Sequence, residues 1–185
     1  MSRLAAVALT ALLMLGAPPL ASQRAPKPKA FFKDTGSAGN GLGTVPGVRT
    51  FDLRAPGQRD SLRATLRRER ALWSAGGARD YRFLLRVGCF CPGTRGWLLM
   101  EIRSGQLLRA WDKTAKAVPI SDWNTFSIDG LFDNLERSLD RSSLVAIAFD
   151  SRRHFPTYVR TVALPGPDSW GIIEARGLQL FASKP

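Results

Sequence analysis

A chain of 185 residues is the size of one ordinary domain, and at 44% hydrophobic residues it can form a packed core. It carries 27 Lys and Arg against 15 Asp and Glu, a formal charge of +12, with two cysteines and one histidine. So few thiol and imidazole groups exclude a disulfide framework of the small secreted kind, a multi-ligand zinc site and a two-histidine metal pair.

Met1-Ser2-Arg3 is a short positive start. Residues 4–15 are apolar apart from Thr10, and Gly16, Pro18, Pro19 and Ala21 follow. This three-part layout predicts a secretory signal peptide over residues 1–21, cut after Ala21 or Ser22. A membrane span needs roughly 20 apolar residues, and Pro18-Pro19 stops this run earlier. No second apolar run of that length occurs, so the expected product is an exported monomer, periplasmic or extracellular, without a transmembrane segment. Residues 22–59 then hold six Gly and four Pro in 38 positions and a net charge of +5. Such composition buries too little apolar surface to offset chain entropy, and it reads as a flexible basic linker. Phe31-Phe32 and Phe51-Asp52-Leu53 are the exceptions, the second able to pack on the domain as an extra strand or clip. The glycines of 36–43 lack the Gly-Lys-Ser/Thr ending of a phosphate loop.

A single domain is expected over residues 60–185. Asp60 is a suitable N-cap, and Leu62, Leu66 and Trp73 share one face of the helix that follows, with Arg63, Arg67, Arg68 and Arg70 mostly outside. Gly76-Gly77 ends it. Residues 81–91 alternate. Tyr81, Phe83, Leu85, Val87, Cys89 and Cys91 point one way and Arg82, Leu84, Arg86, Gly88 and Phe90 the other, a strand with one buried face. Strands over 97–103 and 106–111 form a hairpin at Ser104-Gly105. Ser127 caps a second helix, with Phe126 and Leu131 spaced as a hydrophobic staple and Ile128, Leu131, Phe132, Leu135 and Leu139 on one face. Strands over 144–149, 157–164 and 171–181 follow, the last bulged at Gly177. The expected fold is α+β: an antiparallel sheet of about six strands with two helices packed on it, in the order α-βββ-α-βββ.

Asp80-Tyr81-Arg82-Phe83 followed by Cys89-Phe90-Cys91-Pro92 resembles a family of secreted bacterial domains of unknown function. Leu72-Trp73 before the tyrosine strand, Leu131-Phe132-Asp133 in the second helix, and Phe149-Asp150 with Phe155-Pro156 match its later segments. Phe149 stands where that family has tyrosine, and His154 where it has glycine. The resemblance covers roughly residues 70–181. It implies export and one domain, and implies no activity or substrate.

Cys89 and Cys91 are the one cysteine pair, expected in an oxidising compartment. In an extended strand, i and i+2 lie about 6.6 Å apart, near the upper limit of disulfide geometry. Three readings follow: a local disulfide or two buried thiols, a strained redox pair, or a Cu(I) site completed by His154 or Met100. Asp150, at a strand end before Arg152-Arg153, is the carboxylate placed for chemistry, its alternative being a turn cap. Asp129, Asp133, Glu136 and Asp140 read as the solvated face of the second helix. No catalytic constellation, resident metal or cofactor is expected. The function expected is a non-catalytic binding module for a protein or an anionic envelope surface rather than nucleic acid. The alternative is a thiol-redox or copper-handling protein built on Cys89 and Cys91.

Overall fold

Where the sequence alternates with period two it forms strands, and where apolar residues recur every three to four positions it forms helices, as the computed structural model of the chain shows for residues 28–32, 45–89, 96–121, 125–163 and 170–181. The elements are α1 (Pro28–Phe31), β1 (Arg49–Asp52), α2 (Gln58–Ala75), β2 (Tyr81–Cys89), β3 (Trp97–Arg103), β4 (Gln106–Asp112), α3 (Ile128–Ser138), β5 (Ser142–Phe149), β6 (Pro156–Ala163) and β7 (Trp170–Leu180).

The strands form one antiparallel sheet in the order β1-β5-β6-β7-β2-β3-β4. Two meanders, β2-β3-β4 and β5-β6-β7, lie side by side, and β7 pairs with β2 from Tyr81↔Leu180 to Cys89↔Gly171. Each meander follows a helix, so the α-βββ unit occurs twice. The Ser104-Gly105 turn has positive φ at both residues (51° and 80°), the backbone twist that tight hairpins require. Gly177, at φ 62°, sits where the β2–β7 register shifts between Arg82 and Leu84.

The sheet has seven strands because Arg49–Asp52 pairs with β5, from Arg49↔Ile147 to Asp52↔Leu144. Phe51 and Leu53 enter the main core, so apolar residues within the stretch read as linker fold with the domain. Phe31 is also buried, against Leu84, Trp97 and Leu99 on the opposite side of the sheet.

Helices α2 and α3 cover one face. Leu62, Leu66 and Trp73 of α2 and Ile128, Leu131, Phe132 and Leu135 of α3 pack on Tyr81, Phe83, Leu85, Met100, Ile102, Val145 and Ile147. The N-cap of α2 is Gly57, in the left-handed region, and Asp60 lies in the first turn. Ser127 caps α3 by accepting from the Gly130 amide at 3.1 Å. Tyr81, fully buried, accepts from the Ile128 amide through its hydroxyl at 2.9 Å, tying β2 to the start of α3. Burial holds its phenol proton well above the ordinary tyrosine value. The acidic face of α3 is not left to solvent alone. Arg70 of α2 meets Asp133 at 2.7 Å and Glu136 at 3.6 Å, and Arg63 meets Asp140 at 3.0 Å.

Candidate functional site

Alternation along β2 puts Arg82, Leu84 and Arg86 on the face away from the helices. A single buried face was expected, yet Arg82 and Leu84 are as buried as their neighbours. The reason is lateral. β2 lies between β7 and β3, and both send charged and aromatic side chains across it.

Two similar nodes result. Glu101 of β3 accepts from Arg82 at 2.8 Å and from Arg103 at 3.1 Å, and both guanidinium groups lie over the Phe181 ring, at 4.9 and 3.7 Å from its centroid. Glu174 of β7 accepts from Arg86 and from Arg176, and both of these lie over Trp97, at 5.5 and 5.2 Å. Each carboxylate thus holds two arginines over one ring, combining charge-assisted hydrogen bonds with cation–π contacts. The Arg82–Glu101 pair is almost dry, with side chains 4% and 7% exposed, whereas Arg176 is half exposed.

Register places two more arginines on this face. Arg109 lies opposite Glu101, and Arg160 lies opposite Ile172, next in line to the Tyr158–Glu174 pair. The Arg160 Nε is buried without an acceptor among the described residues. Six arginines therefore share the face with two glutamates and, at the far edge, Asp52 of β1. Beside it, at the start of β3, a cavity of about 620 Å³ opens between Gly96-Trp97 and the segment from Asp112 to Pro119.

The residues picked from the sequence lie elsewhere. His154, at φ 62°, closes the β5–β6 turn by donating its amide to the Asp150 carbonyl at 2.9 Å. Its Nδ1 is 2.9 Å from Oε2 of Glu69, which lies on the buried stripe of α2 and also binds Arg68. Burial alone would raise the Glu69 carboxyl, but the hydrogen bonds from Arg68 and His154 outweigh it and hold the group below its ordinary value. Asp150 accepts from the amides of Arg152 at 2.9 Å and Arg153 at 2.7 Å, the turn-cap role. Met100 is fully buried in the main core. Cys89 ends β2, but its side chain and all of Cys91 lie outside the described residues, so the disulfide, redox and copper readings fall there too. Among the described residues, no three His, Cys, Asp or Glu side chains gather as a metal site.

The sequence did carry a trace of the arginine face. Arg82 and Arg86, Glu101 and Arg103, and Glu174 and Arg176 are charged residues at even spacing inside apolar strands. That pattern marks one sheet face but not which acid meets which base, because register sets the pairing.

Comparison with known proteins bears on the same frame. The profile of DUF6174, described as a family of unknown function, matches residues 65–161, just over half of the chain. No curated protein matches it. The matched span runs from within α2 through most of β6. Many of its aromatic residues are core. Trp73 meets Tyr81 edge-on at 5.5 Å, and Phe132 stacks on Phe149 at 6.2 Å.

Proposed function

The chain belongs to the DUF6174 family, and from that premise we propose that it is an exported, non-catalytic binding module whose arginine face docks on an anionic envelope surface. The carrying observation is the excess of arginine on the sheet face away from α2 and α3, which α1 covers only around Phe31: six arginines against two glutamates and Asp52. The rings of Trp97 and Phe181 and the two glutamates hold four of these guanidiniums in place. Arginines already ordered lose less side-chain entropy on meeting an anion. The buried carboxylates and Asp150 are engaged within the fold. Glu101 and Glu174 each hold two arginines, Glu69 holds His154, and Asp150 caps a turn. Among the described residues, no helix is long and apolar enough to cross a membrane, so contact with a lipid surface would come from outside.

Co-sedimentation with vesicles tests the reading. The protein should pellet with phosphatidylglycerol vesicles and not with phosphatidylcholine. Each basic residue near such a surface contributes about 1 kcal/mol. Binding should fall steeply as salt shortens the screening length from about 10 Å at 0.1 M to about 3 Å at 1 M. Arg109→Glu with Arg176→Glu, both exposed positions, should weaken it at least tenfold. Equal binding to both lipids, or binding indifferent to these two charges, would sink the proposal.

A further inference from the structure

The cavity at the start of β3 carries a more specific assignment. Its wall is made by a chain reversal after β4. Ala115 donates its amide to the Asp112 carbonyl at 2.9 Å, and Val118 donates to the Ala110 carbonyl at 3.0 Å, bringing Ala117 alongside Trp111. The Asp112 carboxylate fixes the reversal, accepting from the Thr114 amide at 2.8 Å, the Thr114 hydroxyl at 2.6 Å and the Lys116 amide at 3.0 Å. These bonds consume that carboxylate and hold its proton affinity below the ordinary value, the Thr114 hydroxyl contributing most. The wall is therefore formed before any ligand arrives.

What lines the space is mixed in a particular way. Trp97, Ala117, Val118 and Pro119 supply apolar surface, and the exposed Ile120 continues it at the rim. Lys113 and Lys116 line the same space and are exposed; Lys116 interacts with the charge of Asp112, and neither ammonium forms a close salt bridge among the described residues. Trp97 is only 8% exposed, and its indole Nε1–H is buried with no acceptor among the described residues. A buried donor left unmet is uncommon in folded proteins. The size, about 620 Å³, lies within the ~300–1,000 Å³ of small-molecule pockets.

We propose that this cavity binds one single-chain amphiphile with an anionic head, its chain against Trp97, Val118 and Pro119 and its head between Lys113 and Lys116. The assignment rests on the anionic-surface reading and names the kind of molecule that the surface would present. A chain fills the apolar wall, and the two exposed ammonium groups select the charge of the head. A free anion would use the lysines and leave the apolar wall wet. A neutral amphiphile would fill the wall and bring no charge to the lysines.

Calorimetric titration of the purified full chain with dodecyl phosphate, kept below its micelle concentration, tests this, with inorganic phosphate and the neutral dodecyl maltoside as separate arms. Dodecyl phosphate should bind saturably, one per chain, at least tenfold more tightly than either control. Lys113→Glu with Lys116→Glu should weaken it at least tenfold, and Ala117→Trp, a bulky change at an exposed lining position, should abolish it. The melting temperatures of both variants show that they fold. Equal affinity for inorganic phosphate, equal affinity for the maltoside, or unchanged binding by folded variants each overturns the assignment. Vesicle binding by a protein that ignores dodecyl phosphate overturns the cavity assignment and leaves the surface reading standing. Dodecyl phosphate binding without vesicle binding supports the cavity and overturns the surface reading.

Discussion

Gly130 stands in the first turn of α3 because the chain entering the helix passes where a side chain would be. A Cβ there would lie 2.0 Å from the Thr125 carbonyl oxygen, and that oxygen is backbone, not a flexible side-chain end. Gly130→Ala should cost about 3 kcal/mol in urea unfolding, the upper part of the range for overpacking. A loss below about 1 kcal/mol would mean that the entry to α3 yields easily. The buried Arg82–Glu101 pair makes a different demand. Glu101→Gln leaves guanidinium groups short of their counter-charge and should cost about 3 kcal/mol, whereas Arg82→Met with Glu101→Leu should recover most of that loss, since a well-packed apolar pair needs no desolvated charge. A double-mutant cycle reads this directly. Glu69 sets a pH limit. Its folded carboxyl titrates below the unfolded value of about 4.3, so its contribution is complete above that pH and is lost as the pH falls through the lower folded value. Wild type should therefore lose more melting temperature than Glu69→Gln between pH 5 and about pH 3. Parallel curves would show that the His154 and Arg68 contacts stabilise nothing. Neither Glu69 nor His154 was legible as a partner in the sequence, because 85 residues separate them and only the β5–β6 turn brings them together.

Strands and helices were mostly written in local pattern. The β3–β4 hairpin, the Ser127 cap, the last-turn Arg137 of α3 and the bulge at Gly177 follow from spacing and turn chemistry that act within a few residues. β1 did not follow in the same way. Arg49–Asp52 is only four residues long and sits among Gly and Pro, so its strand character comes from four register pairs with β5 rather than from its own propensity. Phe51 is 3% exposed in the main core, and Phe51→Ala should cost about 3–4 kcal/mol. A chain beginning at residue 45 loses the buried Phe31 and should unfold below the wild-type urea midpoint, and one beginning at residue 60 well below that again. Equal midpoints for the two would show that β1 is ornamental. The arginine face was half legible. Even spacing put Arg82 and Arg86 on one side of β2, but β7 as its neighbour, and hence Glu174 against Arg86, is a matter of strand order.

At the scale of the whole molecule, the seam between β7 and β2 joins the two α-βββ units into one sheet, while α2 and α3 meet through arginine–carboxylate pairs above it. The main core is shared, since α2, α3 and residues from both meanders belong to one cluster, and only the small cluster of Phe31, Leu84, Trp97 and Leu99 rests on the first meander alone. Tryptophan fluorescence and far-UV circular dichroism should therefore give coincident urea midpoints, one cooperative transition. Separate midpoints would mean that the meanders unfold independently. The sequence by itself determined the class, α+β, the order of helices and strands, and the core faces of both helices and of β2, because these depend on periodicities of 3.6 and 2.0 that each segment carries alone. It also determined a strong positive charge, which is a sum over residues and needs no fold. Tertiary structure alone decided that β7 lies against β2, that β1 joins β5, that two glutamates gather four arginines over two aromatic rings, and that a chain reversal after β4 leaves a cavity beside Trp97. Each of these joins residues far apart in the chain. Such contacts form only when burial of a shared core offsets the entropy of closing long loops, and no local pattern encodes that balance.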